Sequence, residues 1–570
     1  MSVHERTRHA PDPSAAPFRR ADGRPWGSRF VTLIAGLRRR AVPSQWSLLF
    51  GAASAACMVV LVVTGLFLMI DYTPSSTRVR YDGAYPLLRG VEMSEAYAST
   101  LRISFEVPAG LLMRQAHHWA ALLLPAVLLL QLLHAFFTGA YRRPRHWQWV
   151  LLCGIFFAAL LGGWSGYALP DDLLAGTGLR IFHGVLLGIP GVGTALSMLI
   201  FGGEFPGRVL AHLYPIHVVV APVALVLLWL IRLRLVYRGR PAQFFGPGRT
   251  AGNVVGLPLW PTMATKWIGM FMITAGVITL SAGLAEISPV WQQGPSSPAA
   301  AGAGSQPDWY TAFLDGALRL VPPGWEIFLF GRTWTLAVIV PLLAVSLFFA
   351  IIVAYPFLEG WITDDTADHH FLDRPRDVPV RTGIGVAGLV FYLGLWAVAS
   401  ADLVATQFQL SFNTVIHVLQ VVVTVGPLVG FLVTYTACRG LQEAEHQRLV
   451  HGAESGQIVR LPSGGYVEKH RPLAPRDRFV VASLAPASPP GSRRDRRGRT
   501  RQAGLVRNRL GRLYLTNARS PQRSHVEVGH RTGQPALEGS AASVGHHTEE
   551  PAVEREPHHR QRVAGKPENR

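Results

Sequence analysis

The stretch "RQAHHWAALLLPAVLLLQLLHAFF" (Arg114–Phe137) combines an apolar run of membrane length with three histidines, His117, His118 and His134. A helix needs about 20 consecutive apolar residues to cross a bilayer, and this run is long enough. Ionisable side chains inside such helices are rare and are functional candidates, because their burial in hydrocarbon is costly. The stretch therefore predicts a transmembrane helix in which at least one histidine binds something.

Seven further apolar runs predict a membrane protein with many spans. The chain has 570 residues, of which 49% are hydrophobic and 16% are charged, and this composition fits a membrane protein better than a soluble domain. We expect an all-α integral membrane fold with eight transmembrane helices. With the first stretch included, the predicted spans are residues 46–70, 111–137, 148–169, 212–236, 262–286, 334–358, 383–403 and 412–437.

The distribution of arginine predicts the orientation. If the spans alternate, the clusters at residues 38–40, 142–145, 232–240 and 374–381 all lie on one side, and positively charged loops stay in the cytoplasm. Residues 1–44 are too polar and arginine-rich for a secretory signal peptide. We therefore expect a cell-membrane protein with both termini cytoplasmic. The loops expected outside are residues 71–110, 170–211, 287–333 and 404–411.

The net charge of +19 does not indicate a nucleic-acid partner, because it is concentrated in the C-terminal tail. Residues 475–570 hold 19 Lys and Arg against 9 Asp and Glu, without helical or strand periodicity. Such a composition predicts disorder within a basic cytoplasmic tail, residues 446–570, that could touch anionic lipid headgroups. The three cysteines, at positions 57, 153 and 438, lie in apolar spans without a close pair, so no disulfide framework or iron–sulfur site is expected.

A second span carries a histidine at matching depth. His217, in "HLYPIHVVVAPVALVLLWLI" (212–231), lies several residues into the fourth span, as His117 does in the second. Both spans are entered from outside, so the two side chains could be axial ligands of one haem near the outer surface. His118 is rotated about 100° from His117 on a helix. For His118 and for His212, an interfacial or packing role is expected.

Other residues could complete this cofactor site. Arg114 lies one helical turn outward of His117, where its cation could pair with a haem propionate or merely snorkel to the interface. Gly51 and Gly65 are 14 residues apart on the first span and share nearly one face. Glycine lets a flat macrocycle approach a helix closely, although small residues also serve ordinary helix packing.

Several ordered blocks resemble cytochrome b of the quinol–cytochrome c reductase (cytochrome bc) complexes, in its actinobacterial form, across residues 40–475. The resemblance implies a haem-binding N-terminal unit at 45–250 and a C-terminal unit at 251–445 with a quinol-site loop. It also implies two b haems, a quinol substrate (menaquinol here), a Rieske iron–sulfur protein and a cytochrome c subunit as partners, and a possible homodimer. The blocks include "RQAHHWAALL" (114–123), "GYALPDDLLAGTGLRI" (166–181), "PDWY" (307–310) and "AYPFLEGWITDD" (354–365).

The resemblance also implies roles for particular residues. His117 and His217 would hold the outer haem, with Gly166 allowing close approach across the site. Asp308, where the family usually has glutamate, would accept a quinol proton, and Tyr310 would hydrogen-bond the same ring. Without the family, "PDWY" would be interpreted as a turn with an interfacial aromatic pair.

The sequence departs from the family at the inner haem. The expected ligand positions hold Gln131 and Arg232 (or Ile231, in the spacing of other branches), and a glycine expected on the third span is Leu152. Glutamine is a poor iron ligand, and arginine has no acceptor at all. His134 lies off the ligand face, with no histidine opposite. We therefore predict one haem b, near the outer face, and expect bifurcated turnover to fail or to need another acceptor.

Two hypotheses from different classes follow. The first is a quinol–cytochrome c oxidoreductase subunit with a single haem. The second is a non-catalytic membrane scaffold, a paralogue that keeps the fold without electron transfer. The joint presence of Arg114, His117, His217 and Tyr310 favours the first, and no pair of broken helices suggests a transporter.

Overall fold

The computed structural model describes residues 35–297, 299, 307–487 and 505–521. Within these ranges eight helices are long and apolar enough to cross a membrane, as the sequence predicts. The bounds agree with the predicted ones to within a few residues, except that the last helix continues well beyond residue 437. We number them in chain order as α1 (Trp46–Asp71), α2 (Gly110–Phe137), α3 (His146–Tyr167), α4 (Val209–Arg238), α5 (Leu259–Leu284), α6 (Leu336–Thr363), α7 (Pro379–Ala399) and α8 (Phe412–His451).

The loops that the arginine pattern assigns to the outside meet at one end of the bundle, which we call the outer end. The Tyr72 hydroxyl donates to the Leu169 carbonyl at 2.7 Å, and the Tyr97 hydroxyl donates to Val290 at 2.9 Å. The shorter helices of these loops are Glu95–Phe105, Leu173–Leu187, Gly193–Phe201, Val290–Gln293, Ala312–Arg319 and Ala401–Gln407. Two antiparallel strand pairs accompany them, Arg78–Arg80 with Glu92–Ser94 and Glu326–Leu329 with Arg332–Thr335.

The largest core lies among α1 to α4, with contributions from α5 and α6. Because these helices are apolar all round, periodicity alone does not say which side chains face inward. The structure selects a closely packed aliphatic layer between α2 and α3, including Leu124, Leu128, Leu152 and Ile155. A second core joins α6, α7 and α8 around Val345, Leu395 and Val423.

The opposite, inner end holds a buried ionic network. The Asp373 carboxylate pairs with Arg142 at 2.6 Å and with Arg381 at 2.8 Å, and Arg381 also lies 3.7 Å from Glu359. Although burial alone would raise it, the two arginines hold the pKa of Asp373 below its ordinary value. Charges this deeply buried persist only when they are paired. Two short strand pairs also lie at the inner end, Ala41–Val42 with Leu257–Pro258 and Gln243–Phe244 with Phe371–Leu372, and the last strand directly precedes Asp373.

Part of the C-terminal tail is ordered and docks on this network. The Tyr514 hydroxyl donates to Glu359 at 2.8 Å and accepts from Tyr355 at 2.9 Å, and Arg507 pairs with Asp364. The structure therefore differs from the predicted disorder at 475–487 and 505–521, because contacts to buried groups hold elements too short to show periodicity. The other residues after 487 lie outside the described ranges. The ordered elements are the helices Pro475–Ala482 and Leu505–Tyr514 and the strand pairs Ala453–Arg460 with Tyr466–Arg471 and Leu484–Pro486 with Arg519–Pro521.

Candidate haem and quinol site

The two histidines predicted to share a cofactor face each other near the outer end. The rings of His117 on α2 and His217 on α4 have centroids 6.0 Å apart, at an interplanar angle of 69°. Two metal–nitrogen bonds of about 2 Å each, plus the offset of each ring centre from its nitrogen, require a separation of this size. The spacing of the pair would therefore allow His117 and His217 to hold one haem iron between them.

The position of His217 depends on a local irregularity in α4. A π-helical segment, Ile216–Val220, interrupts the α-helix around it. Pro222 follows within one turn and lacks the N–H that would bond the carbonyl four residues earlier. Single π turns of this kind are frequent at functional sites, and this one contains His217.

Both rings are oriented by hydrogen bonds at Nδ1. The Thr64 hydroxyl donates to the Val60 carbonyl at 2.6 Å, so its oxygen accepts from His117 Nδ1, 2.9 Å away. His217 Nδ1 lies 2.9 Å from the Gly162 carbonyl and donates to it. An N–H at Nδ1 leaves Nε2 unprotonated, which is the form that binds a metal. The residues present therefore fit a bis-histidine haem at this end of the bundle.

Glycines lie against both rings. A Cβ built on Gly65 would be 3.3 Å from Cε1 of His117, and one on Gly166 would be only 2.4 Å from Cε1 of His217. Any larger residue at position 166 would therefore displace the ring. Gly51 is different, because a Cβ there would meet no atom within 4 Å among the described residues, and its role stays a prediction.

Arg114 is held at the outer rim of the site. Its two terminal nitrogens each donate to the Ser288 carbonyl at 3.2 Å, and its guanidinium carbon lies 5.5 Å from the Trp291 ring centre. Its Nε is buried and has no hydrogen-bond partner within the described ranges. An arginine that only snorkelled would keep its nitrogens in water, so the orphaned donor favours an anionic partner such as a propionate.

The "PDWY" loop packs against the same stretch of α3. Tyr310, which is 1% exposed, donates its hydroxyl to Asp308 at 2.7 Å. A Cβ on Gly163 would lie 2.5 Å from that hydroxyl oxygen. Burial, together with the nearby Asp308 carboxylate, raises the pKa of Tyr310 well above its ordinary value. Tyr310 therefore stays protonated and acts as a hydrogen-bond donor, and one turn of α3 separates it from the histidine pair.

His118 is the functional candidate that sequence reasoning missed. Its Nε2 lies 3.6 Å from the second carboxylate oxygen of Asp308, whereas the sequence suggested only an interfacial or packing role. His118 is rotated about 100° from His117 on α2, so it does not face the haem position. It faces the "PDWY" loop instead. Nothing in the sequence indicates that residues 307–311 fold back against α2. His212, by contrast, bonds the Ile200 carbonyl at 2.9 Å, as expected of a packing residue.

The positions expected to hold an inner haem are engaged otherwise. Gln131 donates to Ser54 at 3.2 Å and to the Phe50 carbonyl at 3.3 Å, tying α2 to α1. Leu152 is buried in the aliphatic layer between α2 and α3. The Nε of Arg232 is buried and lacks a hydrogen-bond partner within the part of the chain that the structure describes. None of the three side chains is a good iron ligand, and Leu152 fills the position at which the resemblance implies a glycine.

An eight-helix membrane bundle with paired histidines at one end and glycines against both rings is of the b-type cytochrome class. The family model described as cytochrome b (N-terminal)/b6/petB matches residues 122–295. The chain belongs to the cytochrome b family, as the cytochrome b subunit of a bc1 complex.

Similar proteins include cytochrome bc1 complex cytochrome b subunits from three actinobacteria. The one from Streptomyces coelicolor is 43% identical over 80% of this chain and 83% of its own length. The one from Mycobacterium leprae is 43% identical over 78% of this chain and 81% of its own length. The one from Corynebacterium efficiens is 41% identical over 78% of this chain and 83% of its own length. A chain of a solved hyperthermophilic respiratory Complex III, at 18% identity, matches with a TM-score of 0.54 over 72% of this chain and 97% of its own. That last likeness supports the fold.

Proposed function

We propose that this subunit oxidises quinol at the outer end of the bundle and transfers electrons through a single haem b. The observation that carries the proposal is the convergence on one turn of α3. Gly163 lies against Tyr310 and Gly166 lies against His217. The loop that would accept the proton and the histidines that would hold the haem therefore contact the same turn of α3. A haem held by His117 and His217 would supply a one-electron acceptor beside the quinol.

The chain's own residues supply the proton chemistry. Asp308 accepts the Tyr310 hydroxyl on one carboxylate oxygen and faces His118 with the other. A carboxylate placed this way can take a proton from a quinol hydroxyl when the quinol displaces one of these neighbours. Tyr310 keeps its own proton, because of its raised pKa, and serves to hold the ring by a hydrogen bond. The aspartate is shorter than the family's glutamate, so the quinol must approach the loop closely.

The substrate and partners are inferred from the family. Quinol oxidation releases two electrons, and the second acceptor would be a Rieske iron–sulfur protein acting with a cytochrome c subunit. We propose menaquinol as the substrate, as the actinobacterial resemblance implies. The orientation proposed from the arginine clusters puts this chemistry on the outer face of the cell membrane. The resemblance also implies a homodimer, which we include in the proposal.

We propose that the inner haem is lost. Gln131, Leu152 and Arg232 support this, because two of them bind or pack against protein and the third cannot ligate iron. Without an inner relay, quinone reduction at the inner end would require another electron acceptor. The proposal thus departs from the two-haem arrangement that the resemblance implies.

The test is haem quantification per polypeptide, with a redox titration of the purified complex. We expect one haem b per chain and a single midpoint potential for haem b. Two haems with two potentials would refute the loss of the inner site. No haem, with the fold intact by circular dichroism, would refute electron transfer and support the scaffold alternative. Oxidation rates with menaquinol and ubiquinol analogues then test the substrate.

A further inference from the structure

The outer end carries a β-hairpin that contacts little of the bundle. Strands Glu326–Leu329 and Arg332–Thr335 pair antiparallel, joined by Phe330 and Gly331. Both turn residues have positive φ, 56° and 71°, which matches a type I′ turn. A bulky residue is disfavoured in that conformation, where Asn or Gly is usual. Phe330 is nevertheless there and is 85% exposed, so the tip presents an aromatic ring at a cost to the backbone.

Both faces of this ribbon expose apolar side chains. Successive side chains of a strand point to opposite faces. Ile327, Leu329 and Trp334 therefore lie on one face with Arg332, and Phe328 lies on the other face with Glu326, Thr333 and Thr335. Phe328 is 75% exposed, and Ile327 and Leu329 are also exposed. A protein partner would cover one face of a two-stranded ribbon and leave the other in water. A lipid environment surrounds both.

The hairpin also continues the lipid-facing surface. Its second strand ends at Thr335 and α6 begins at the next residue. The exposed side of α6 carries Leu343 and Leu347, so no loop separates the ribbon from the membrane-spanning surface.

The backbone sets the depth at which the ribbon can lie. A two-stranded hairpin has unpaired N–H and C=O groups along both edges, and these are not tolerated in the hydrocarbon core. Water and polar lipid groups can bond them in the headgroup layer. Tryptophan is enriched at this depth in membrane proteins, and the hairpin region carries Trp325 and Trp334. Arg332, beside the tip, can reach lipid phosphates there.

We propose that the hairpin at residues 326–335 inserts into the headgroup layer of the outer leaflet and anchors the loop between the quinol-site helix Ala312–Arg319 and α6. This anchoring role is independent of the quinol chemistry and would hold for a non-catalytic chain. The ligand is the lipid surface itself, through apolar contact on both faces of the ribbon.

The chain contains its own control. The second long hairpin, Ala453–Arg460 with Tyr466–Arg471, is at the inner end beyond α8 and is equally exposed. It exposes Ile458, Val459 and Tyr466 as well, but it carries more charge than the outer hairpin, with Glu454, Arg460, Glu468, Lys469 and Arg471 among its strand residues, so it should remain in water. Its turn residue Ser463 is exposed and provides a matched labelling position.

The experiment uses nitroxide spin labels on the full-length chain in phosphatidylethanolamine–phosphatidylglycerol nanodiscs. The native cysteines Cys57, Cys153 and Cys438 are free and buried, so Ile327→Cys, Phe328→Cys and Ser463→Cys can each be labelled selectively. Power saturation compares collision with oxygen, which partitions into lipid, and with a water-soluble nickel chelate. We expect the ratio of oxygen to nickel accessibility to be several-fold higher at positions 327 and 328 than at position 463.

Each alternative gives a distinct pattern. A nickel accessibility at positions 327 and 328 equal to that at 463 would mean that the hairpin projects into water. Protection of one position from both reagents would mean that a protein face, such as a second copy of the chain, covers it. Either pattern overturns the proposal. Phe330→Cys at the exposed tip gives a further measurement if a strand variant does not fold, with the same expected ratio.

Discussion

Replacing Gly166 by alanine should remove the outer haem without unfolding the bundle. The new Cβ would lie 2.4 Å from Cε1 of His217, about 1 Å inside ordinary van der Waals contact. Because α3 and α4 are packed along this face, the imidazole has to move by a comparable distance. That movement breaks its 2.9 Å hydrogen bond to the Gly162 carbonyl and turns Nε2 away from His117. Overpacking of this kind costs about 1–3 kcal/mol, or about five- to 150-fold in haem affinity.

Two matched glycines calibrate the effect. A Cβ on Gly65 would lie 3.3 Å from Cε1 of His117, so the ring needs to shift by only a few tenths of an ångström. On α3 itself, a Cβ on Gly154 would meet Leu228 at an ordinary 3.4 Å. Alanine is better than glycine in a helix interior by about 1 kcal/mol, so Gly154→Ala should keep its haem and its stability.

The assay is the pyridine haemochrome content per polypeptide, with thermal unfolding as the check on folding. We expect Gly166→Ala to lose most of its haem, Gly65→Ala to retain most of it, and Gly154→Ala to match the unmodified chain. Equal haem content in Gly166→Ala and Gly154→Ala would refute the reasoning, because the close approach of α3 to His217 would then have no consequence.

Three further perturbations test other parts of the structure. Asp308→Asn should lower the quinol oxidation rate at least tenfold while haem content per chain stays unchanged, since about 10²–10⁴-fold is typical for a general base; an unchanged rate would exclude Asp308 as proton acceptor. Burial raises the pKa of Asp172, the N-cap of Leu173–Leu187, to about 6. The native state therefore binds more protons than the unfolded state between roughly pH 4 and 6. The unfolding free energy should fall by about 3 kcal/mol as the pH rises through that window. Asp172→Asn should flatten this dependence in pH-resolved melting curves, because asparagine caps equally well, and a profile still as steep would assign it to another group. Tyr514→Phe removes the hydroxyl that donates to Glu359 and should lower the unfolding free energy by about 1–3 kcal/mol in detergent melts, whereas the exposed Tyr466→Phe should change nothing.

The sequence predicts the parts of this fold that depend on hydrophobic length. Eight apolar runs become eight helices, because backbone groups in a bilayer must bond within their own segment. The pairing of His117 with His217 is also predictable, since equal depth on two parallel helices brings them together. Position along a span was thus sufficient to predict that the two histidines meet, although it did not predict the π-helical segment that contains His217.

Contacts made by loops were not predictable in the same way. The approach of Asp308 to His118 depends on how residues 307–311 fold back over α2, and no periodicity encodes that. The docking of Tyr514 on Glu359 joins residues 155 positions apart, and an arginine-rich composition conceals it. The π turn at His217 was not predictable either. Pro215 and Pro222 indicate an irregular helix, but they do not specify which residues form the wider turn.

The docked tail also has a consequence for the order of biosynthesis. Glu359, Arg381 and Asp373 are synthesised and inserted with α6 and α7, whereas Tyr514 leaves the ribosome more than a hundred residues later. A chain terminated after α8 would contain every span and both histidines, yet Glu359 would lack its phenolic donor. Completion of the inner end therefore follows the synthesis of all eight spans.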